Sequence, residues 1–245
     1  MAAYNGSEYV VEQIASILPQ LAEGDELVVV DDASRDDTVA RIEAIGDPRI
    51  VLHRSEHNGG YVRTFERALQ AASGEILMLS DQDDIWPEGR VDAMADALER
   101  SETVAGNLVL YPSGAPLRSP LTGREWRLRP SDSRRTVWNR VRILAGDMPY
   151  YGCAMAFRRD FRPAVLPFPS YLHESHDLWL ALLGNAAGSM THLESVTVLR
   201  RLHDANASPS KPRGVRAVIG SRWMLLRALV TSAGRVRAWR RANAG

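Results

Sequence analysis

Two short apolar runs in the first third of the chain end directly in clusters of aspartates, and this restricts the fold more than any other feature. Glu26-Leu-Val-Val-Val-Asp31 passes into Asp32, and Glu75-Ile-Leu-Met-Leu-Ser80 passes into Asp81-Gln82-Asp83-Asp84. Runs that are apolar at every position are strands covered on both faces, as in a parallel sheet flanked by helices. Helical segments alternate with them. Val10, Ile14, Ile17, Leu18 and Leu21 repeat at helical spacing behind Asn5 and Glu8, which resemble a capping box. Ser34 and Asp37 are expected to cap a helix over 36–44, and 49–53 reads as a further strand. Asn58-Gly59-Gly60 punctuates a loop before a helix over 61–72, and Pro87 opens a helix running to Glu99. This alternation predicts an α/β fold with a largely parallel central sheet.

The second half is less regular. Residues 111–135 are rich in Pro, Ser, Gly and Arg and read as a long loop. Helix is predicted near 136–145, strand near 151–158, helix near 176–187 and strand near 193–200. The segment from Pro212 reads as one or two amphipathic basic helices. With 245 residues and 45% hydrophobic content, the chain can bury one substantial core. A single cysteine, Cys153, excludes an internal disulfide framework and fits a reducing compartment. No apolar run approaches the roughly 20 residues that span a bilayer, and no signal peptide is read at the start, so a cytoplasmic location is expected.

The net charge of zero conceals an asymmetry. After Asp204 come Lys211 and eight arginines without one acidic residue, a charge of +9 that the first 204 residues balance with −9. An acidic body argues against a nucleic-acid partner. The basic segment, with Trp223, Met224, Leu225, Leu226, Leu229 and Val230 among its arginines, suits an anionic membrane surface. On that reading residues 213–241 hold the protein peripherally on the inner face of the plasma membrane. The alternative is a helix that covers the body and points its arginines at water.

In open α/β sheets, ligands bind beyond the carboxyl ends of the strands, so both acid clusters should line one crevice. Packed carboxylates need a compensating cation or hydrogen-bond donors. A hard divalent ion such as Mg²⁺ suits them, because it binds through one or two carboxylates and completes its shell with water and phosphate oxygens. An aspartate after a strand can also simply cap the next helix; three acids in four residues are harder to explain that way. His173 and His176 lack a third ligand for zinc. Cys153 reads as a small filler of core or cleft.

Several motifs occur in the order found in family 2 glycosyltransferases. They are Met1-Ala-Ala-Tyr-Asn-Gly6, Val28-Val-Val-Asp-Asp-Ala-Ser34 with Asp37-Thr38, Asn58-Gly-Gly60, and Leu79-Ser-Asp-Gln-Asp-Asp-Ile-Trp86. Gly152-Cys-Ala-Met-Ala-Phe-Arg158, His176-Asp-Leu-Trp179 and Arg201-Leu-His203 resemble the rhamnosyltransferase-like branch. The likeness covers residues 1–205 and implies a GT-A type nucleotide-binding fold. It divides into a nucleotide-sugar-binding half, 1–100, and an acceptor-side half, 101–205, with 206–245 as a basic helical extension. By this resemblance Ala3, Asn5, Glu8 and Asp32 surround the nucleotide base and ribose. Asp81 and Asp83 form the metal-binding Asp-x-Asp element for Mg²⁺ or Mn²⁺, with Asp83 the favoured direct ligand. Asp177 is the catalytic base. Arg63 lies near the diphosphate, and His203, with Arg200 or Arg201, meets the diphosphate or metal from the far side.

The implied reaction is an inverting transfer from a nucleotide-diphosphate sugar, dTDP- or UDP-linked, to a glycan or lipid-linked acceptor in cell-envelope polysaccharide synthesis. The resemblance favours rhamnose. In that family a central strand leads into the Met1–Gly6 motif, and this sequence carries only its end. A truncated gene model is therefore expected, and a sheet without the strand would leave neighbouring strands with unpaired backbone groups. Two other readings stay open: a degenerate, non-catalytic nucleotide-sugar-binding scaffold, and a sugar nucleotidyltransferase. The latter is disfavoured because Met1–Ser7 offers no Lys or Arg for a triphosphate.

Overall fold

A computed structural model describes residues 1–203 and 214–244, and its first half has the alternation read from the sequence. Strand β2 (Leu27–Asp31) is buried along its whole length and lies between β1 (Ala2–Ala3) and β3 (Ile50–Arg54), all three parallel. Helices α1 (Val10–Ile17), α2 (Thr38–Glu43) and α3 (Tyr61–Ala71) connect and cover them. α1 turns Val10, Ile14 and Ile17 into the core, as its spacing requires.

The second sheet is mixed. It has the order β4 (Ile76–Met78), β6 (Met155–Arg158), β5 (Thr103–Tyr111), β7 (Met190–Arg201). β6 runs antiparallel to both neighbours, while β5 and β7 are parallel. The parallel pairing expected from the sequence holds for β1–β3 and for β5 with β7, and the second sheet adds one reversed strand, β6, between β4 and β5. β5 falls where no strand is read from the sequence. Gly106 and Asn107 interrupt its apolar run, and its register against β7 shifts there. Gly106 leaves room for Thr197, and the Asn107 amide replaces lost ladder bonds by donating to the Leu128, Leu193 and Glu194 carbonyls.

The expected helix caps are also corrected. α1 begins after Tyr9 with no side-chain cap, and α2 begins after Asp37 with none. Asn5 instead sits at φ 47° and accepts the Arg35 N–H, while the Ser34 hydroxyl accepts the Asn5 N–H. These loops emerge side by side from parallel strands, so their polar groups satisfy each other. Pro87 lies in the turn before α4 (Arg90–Leu98), accepting the Arg90 N–H.

β1 reaches toward β4 only where the Ala2 N–H meets the Ser80 carbonyl at 3.4 Å. Below that contact a cleft of 660 Å³ separates β2 from β4, with the Met1 nitrogen donating to the Val28 carbonyl beside it. The main core lies on the other side, where Phe65, Phe157, Phe161 and Trp179 meet. Around it pack α5 (Thr136–Ala145), α6 (Arg162–Val165), α7 (His176–Ala187) and α8 (Val215–Ala242). The basic segment is thus one helix of 28 residues, with one face on α6 and α7.

Arg90 joins this frame to the ligand side. It is 2% exposed, donates to the Leu79, Cys153 and Thr197 carbonyls, and stacks 3.8 Å over Trp86. Burial lowers its pKa to about 9. Replacing it removes the donors of three carbonyls at once. Arg90→Met is therefore expected to lose on the order of 3 kcal/mol in urea unfolding. A loss below about 1 kcal/mol would show that Arg90 is not what ties these strand ends together.

Candidate active site

A cavity of about 360 Å³ opens beyond the ends of β1, β2 and β4, and both acid clusters reach it. Its walls include Ala3, Asp32, Asp81, Asp83, Asp84 and Asp177. The convergence expected from two strand ends is therefore present.

On the β2 side, Asp32 is nearly buried. Its two carboxylate oxygens accept the Gly59 and Gly60 N–H groups, each at 2.8 Å, and the Asn58 amide donates to its carbonyl. Asp32 thus shapes the Asn58–Gly60 loop as well as the cavity wall. Each oxygen keeps a second lone pair for a ligand donor. Opposite it, the Gln82 side chain accepts the Tyr4 N–H and donates to the Tyr4 carbonyl, both at 2.9 Å. That clasp holds the segment after β1 against the acid loop.

The acid loop separates into two groups. Ligand atoms of Asp81, Asp84 and Cys153 lie within 4.8 Å of one another. Burial first, and neighbouring aspartates second, raise Asp81 to about 8 and Asp84 to about 6. Carboxylates held so close retain a proton at neutral pH unless a cation replaces it, so their chemistry fits a hard divalent ion. Burial also raises the Cys153 thiol well above its usual value, and it hydrogen-bonds Asp84 as a neutral donor. Asp83 and His203 form the second group: the His203 Nε2 lies 2.8 Å from the Asp83 carboxylate, and its ring stacks on Tyr9. Of the set Asp81, Asp83 and His203 read from the sequence, Asp83 is paired with His203, while Asp81 is grouped with Asp84 and Cys153.

Asp177 stands in the first turn of α7 and lines the same cavity, its carboxylate accepting the Leu178 N–H at 2.8 Å. Burial raises it to about 6, opposed in part by that bond and by Arg200. Ser175, at φ 60°, makes the sharp entry into α7, and its N–H donates to the Tyr61 hydroxyl.

The cation in the cavity wall is Arg200, which lies over Tyr151. Arg201 points elsewhere, donating to the Asp83 carbonyl and to Glu12. Adjacent side chains on a strand face opposite ways, so only one of the pair can reach the ligand side. Arg63 is likewise outside the wall: it pairs with Glu66 and donates to the Phe168, Pro169 and Ser170 carbonyls. Asn5 and Glu8 also do not line the cavity.

Sequence reasoning missed Gln82, Tyr151 and the pairing of Gly152 with His176. The His176 ring is buried, stacks on Phe65, and has neither ring nitrogen hydrogen-bonded among the described residues. Burial lowers it to about 3, so it is neutral and offers one donor and one acceptor at the cavity. A Cβ on Gly152 would stand 2.5 Å from its Nε2. The ring is also packed against Phe65, with centroids 4.2 Å apart. Gly152→Ala is expected to destabilise the fold by about 1–3 kcal/mol, read by thermal unfolding. An unchanged melting temperature would show that the ring has room to move.

This fold, with its acid-lined cavity at the strand ends, is of the GT-A class. S. aureus TarS 1–349 in complex with UDP-GlcNAc superposes with a TM-score of 0.70 at 16% identity, over 94% of this chain and 64% of that one. Glucosyl-3-phosphoglycerate synthase from Mycobacterium tuberculosis, in complex with Mn²⁺, UDP and glucosyl-3-phosphoglycerate, gives 0.58 at 19%, over 95% and 78%. The chain belongs to glycosyl transferase family 2, whose sequence pattern matches residues 1–162.

Curated relatives include the succinoglycan biosynthesis protein ExoO of Rhizobium meliloti, 34% identical over 110 residues, which are 45% of this chain and 31% of ExoO. Another is the Escherichia coli UDP-Glc:alpha-D-GlcNAc-diphosphoundecaprenol beta-1,3-glucosyltransferase WfgD, 34% identical over 92 residues, 38% of this chain and 36% of WfgD. The chain spans about a third of the length of these relatives.

Proposed function

We propose that the protein transfers a sugar from a nucleotide-diphosphate donor to a hydroxyl of a glycan or lipid-linked acceptor in cell-envelope polysaccharide synthesis, with inversion. One observation carries this reading: Asp177, the Asp81–Asp84 pair and Arg200 line a single cavity whose other wall is Ala3 and Asp32. The Ala3–Asp32 wall takes the nucleoside. Asp177 accepts the proton that the acceptor hydroxyl loses as its oxygen attacks the anomeric carbon. The nucleoside diphosphate leaves from the opposite side of that carbon, so one displacement inverts the configuration. Arg200 stands where charge grows on the leaving diphosphate. Asp81 with Asp84 or Asp83 would hold Mg²⁺ or Mn²⁺, which when bound neutralises part of that charge.

Two donors fit. The structural neighbours were solved with UDP or UDP-GlcNAc, and WfgD is named for UDP-Glc, which supports UDP. The His176-Asp-Leu-Trp179 and Arg201-Leu-His203 motifs support dTDP-rhamnose. The diphosphoundecaprenol acceptor in the name of WfgD supports a lipid-linked acceptor at a membrane. Calorimetric titration of UDP and dTDP with Mn²⁺, then with chelator, tests the reading. Metal-dependent binding of one nucleotide is expected; a folded sample that binds neither would reject the transferase assignment.

A further inference from the structure

Helix α8 has two apolar faces, and only one is covered. Met224, Leu225, Ala228 and Val236 are buried in the main core. Ile219, Trp223, Leu226 and Val230 are exposed instead, at i, i+4, i+7 and i+11. At about 100° per residue they share one stripe about 60° wide on the far side of the helix. Trp223 is 66% exposed and Val230 74%. Helix α5, which touches α8 and rests on the same α7, exposes a second group, Val137, Trp138 and Val141. The α8 stripe is contiguous along its helix, and a contiguous exposed apolar patch marks a place that meets a partner.

Charge identifies that partner. α8 carries seven arginines and no acidic residue. Their hydrogen bonds go to neutral groups, although acidic groups also face the helix: Glu66 acts on Arg235, and Glu174 accepts from the Ser221 hydroxyl. Arg222 donates to the Ala145 carbonyl, Arg235 to those of Ala164 and Val165, and Arg240 to that of Ala187, while Arg227 lies over Tyr171. None of these contacts cancels the positive charge. Arg237 and Arg241 follow Val230 at seven and eleven residues, extending the same stripe. A second copy of this chain on the stripe would set arginine against arginine. An anionic lipid surface answers both features, since it accepts tryptophan and aliphatic groups at the acyl boundary and arginine among headgroups. No helix among the described residues is long and apolar enough to cross a membrane, so the contact is with its surface.

We propose that the exposed stripe of α8, together with the Trp138 group of α5, docks the protein flat on an anionic bilayer. The proposal rests on this surface alone and stands apart from the reaction assigned to the cavity. Flotation of the full chain with phosphatidylglycerol-rich vesicles and with pure phosphatidylcholine vesicles tests it. Binding to the anionic vesicles is expected to be about tenfold stronger or more, and to fall at high salt. The triple variant Ile219→Ser, Trp223→Ser, Val230→Ser is expected to lose about tenfold or more of that binding. Its melting temperature should match the wild type, because the three side chains project from the fold. Equal binding to both vesicle types, or wild-type binding by the triple variant, would overturn the proposal. So would a wild-type dimer in sedimentation that the variant dissolves, which would mean that a second copy covers the stripe. Nucleotide binding, measured on the same samples, reports separately on the cavity.

Discussion

Asp177→Asn is expected to lower turnover by about 10²–10⁴ while leaving nucleotide affinity nearly unchanged. Asparagine keeps the carbonyl oxygen that accepts the Leu178 N–H, so the start of α7 stays formed. What disappears is the group that can take the acceptor's proton. Activity of the wild type should fall as pH drops through about 6, where Asp177 becomes protonated. Stability runs the other way. Because the folded pKa lies above the ordinary carboxylate value of 3.8, the folded state holds a proton that the unfolded chain releases. Its contribution to stability therefore declines as pH rises from about 4 to about 6. The asparagine variant, with no charge to bury, should melt higher than the wild type at neutral pH. A variant with full turnover would remove Asp177 from the base role.

The second large effect is expected at Asp81, which lines the cavity and is grouped there with Asp84 and Cys153. Asp81→Asn should weaken UDP or dTDP binding in Mn²⁺ by about 10²-fold or more, as chelation does in the wild type. Comparison of Asp83→Ala with Asp84→Ala then assigns the second carboxylate. The wild type supplies a further readout without any substitution. Asp81 is raised to about 8, so between about 4 and about 8 the metal-free protein should lose stability as pH rises. A divalent ion competes with that proton and should raise the melting temperature more at pH 8 than at pH 6. Equal shifts at both pH values would place the ion elsewhere.

The sequence was informative where a local pattern decides the outcome. A fully apolar run defines β2, helical spacing defines α1, and the acids at strand ends mark the cavity. It was uninformative where a distant partner decides. β5 is built across a bulge that its own residues disguise, and β6 is reversed only by virtue of its neighbours. Asn5 and Ser34 have the chemistry of helix caps but are used between loops brought together by parallel strands. Arg200 and Arg201 are indistinguishable by type; the phase of β7 decides which faces the ligand. Tyr151 and Gly152 fall in the segment read as strand 151–158, a reading that carries no sign of the cavity wall or of the close approach of Gly152 to His176.

The clasp between Gln82 and Tyr4 constrains how such a site can change over time. A Cβ on Gly6 would stand 2.1 Å from the Gln82 side-chain oxygen, so the space taken by the amide is the space a side chain at position 6 would need. A larger residue at 6 requires the side chain at 82 to be shortened or to swing away, and either change releases the Tyr4 backbone. In related sequences positions 6 and 82 are therefore expected to change together. Lineages that have lost the amide should carry some other tie between the nucleoside wall and the acid loop.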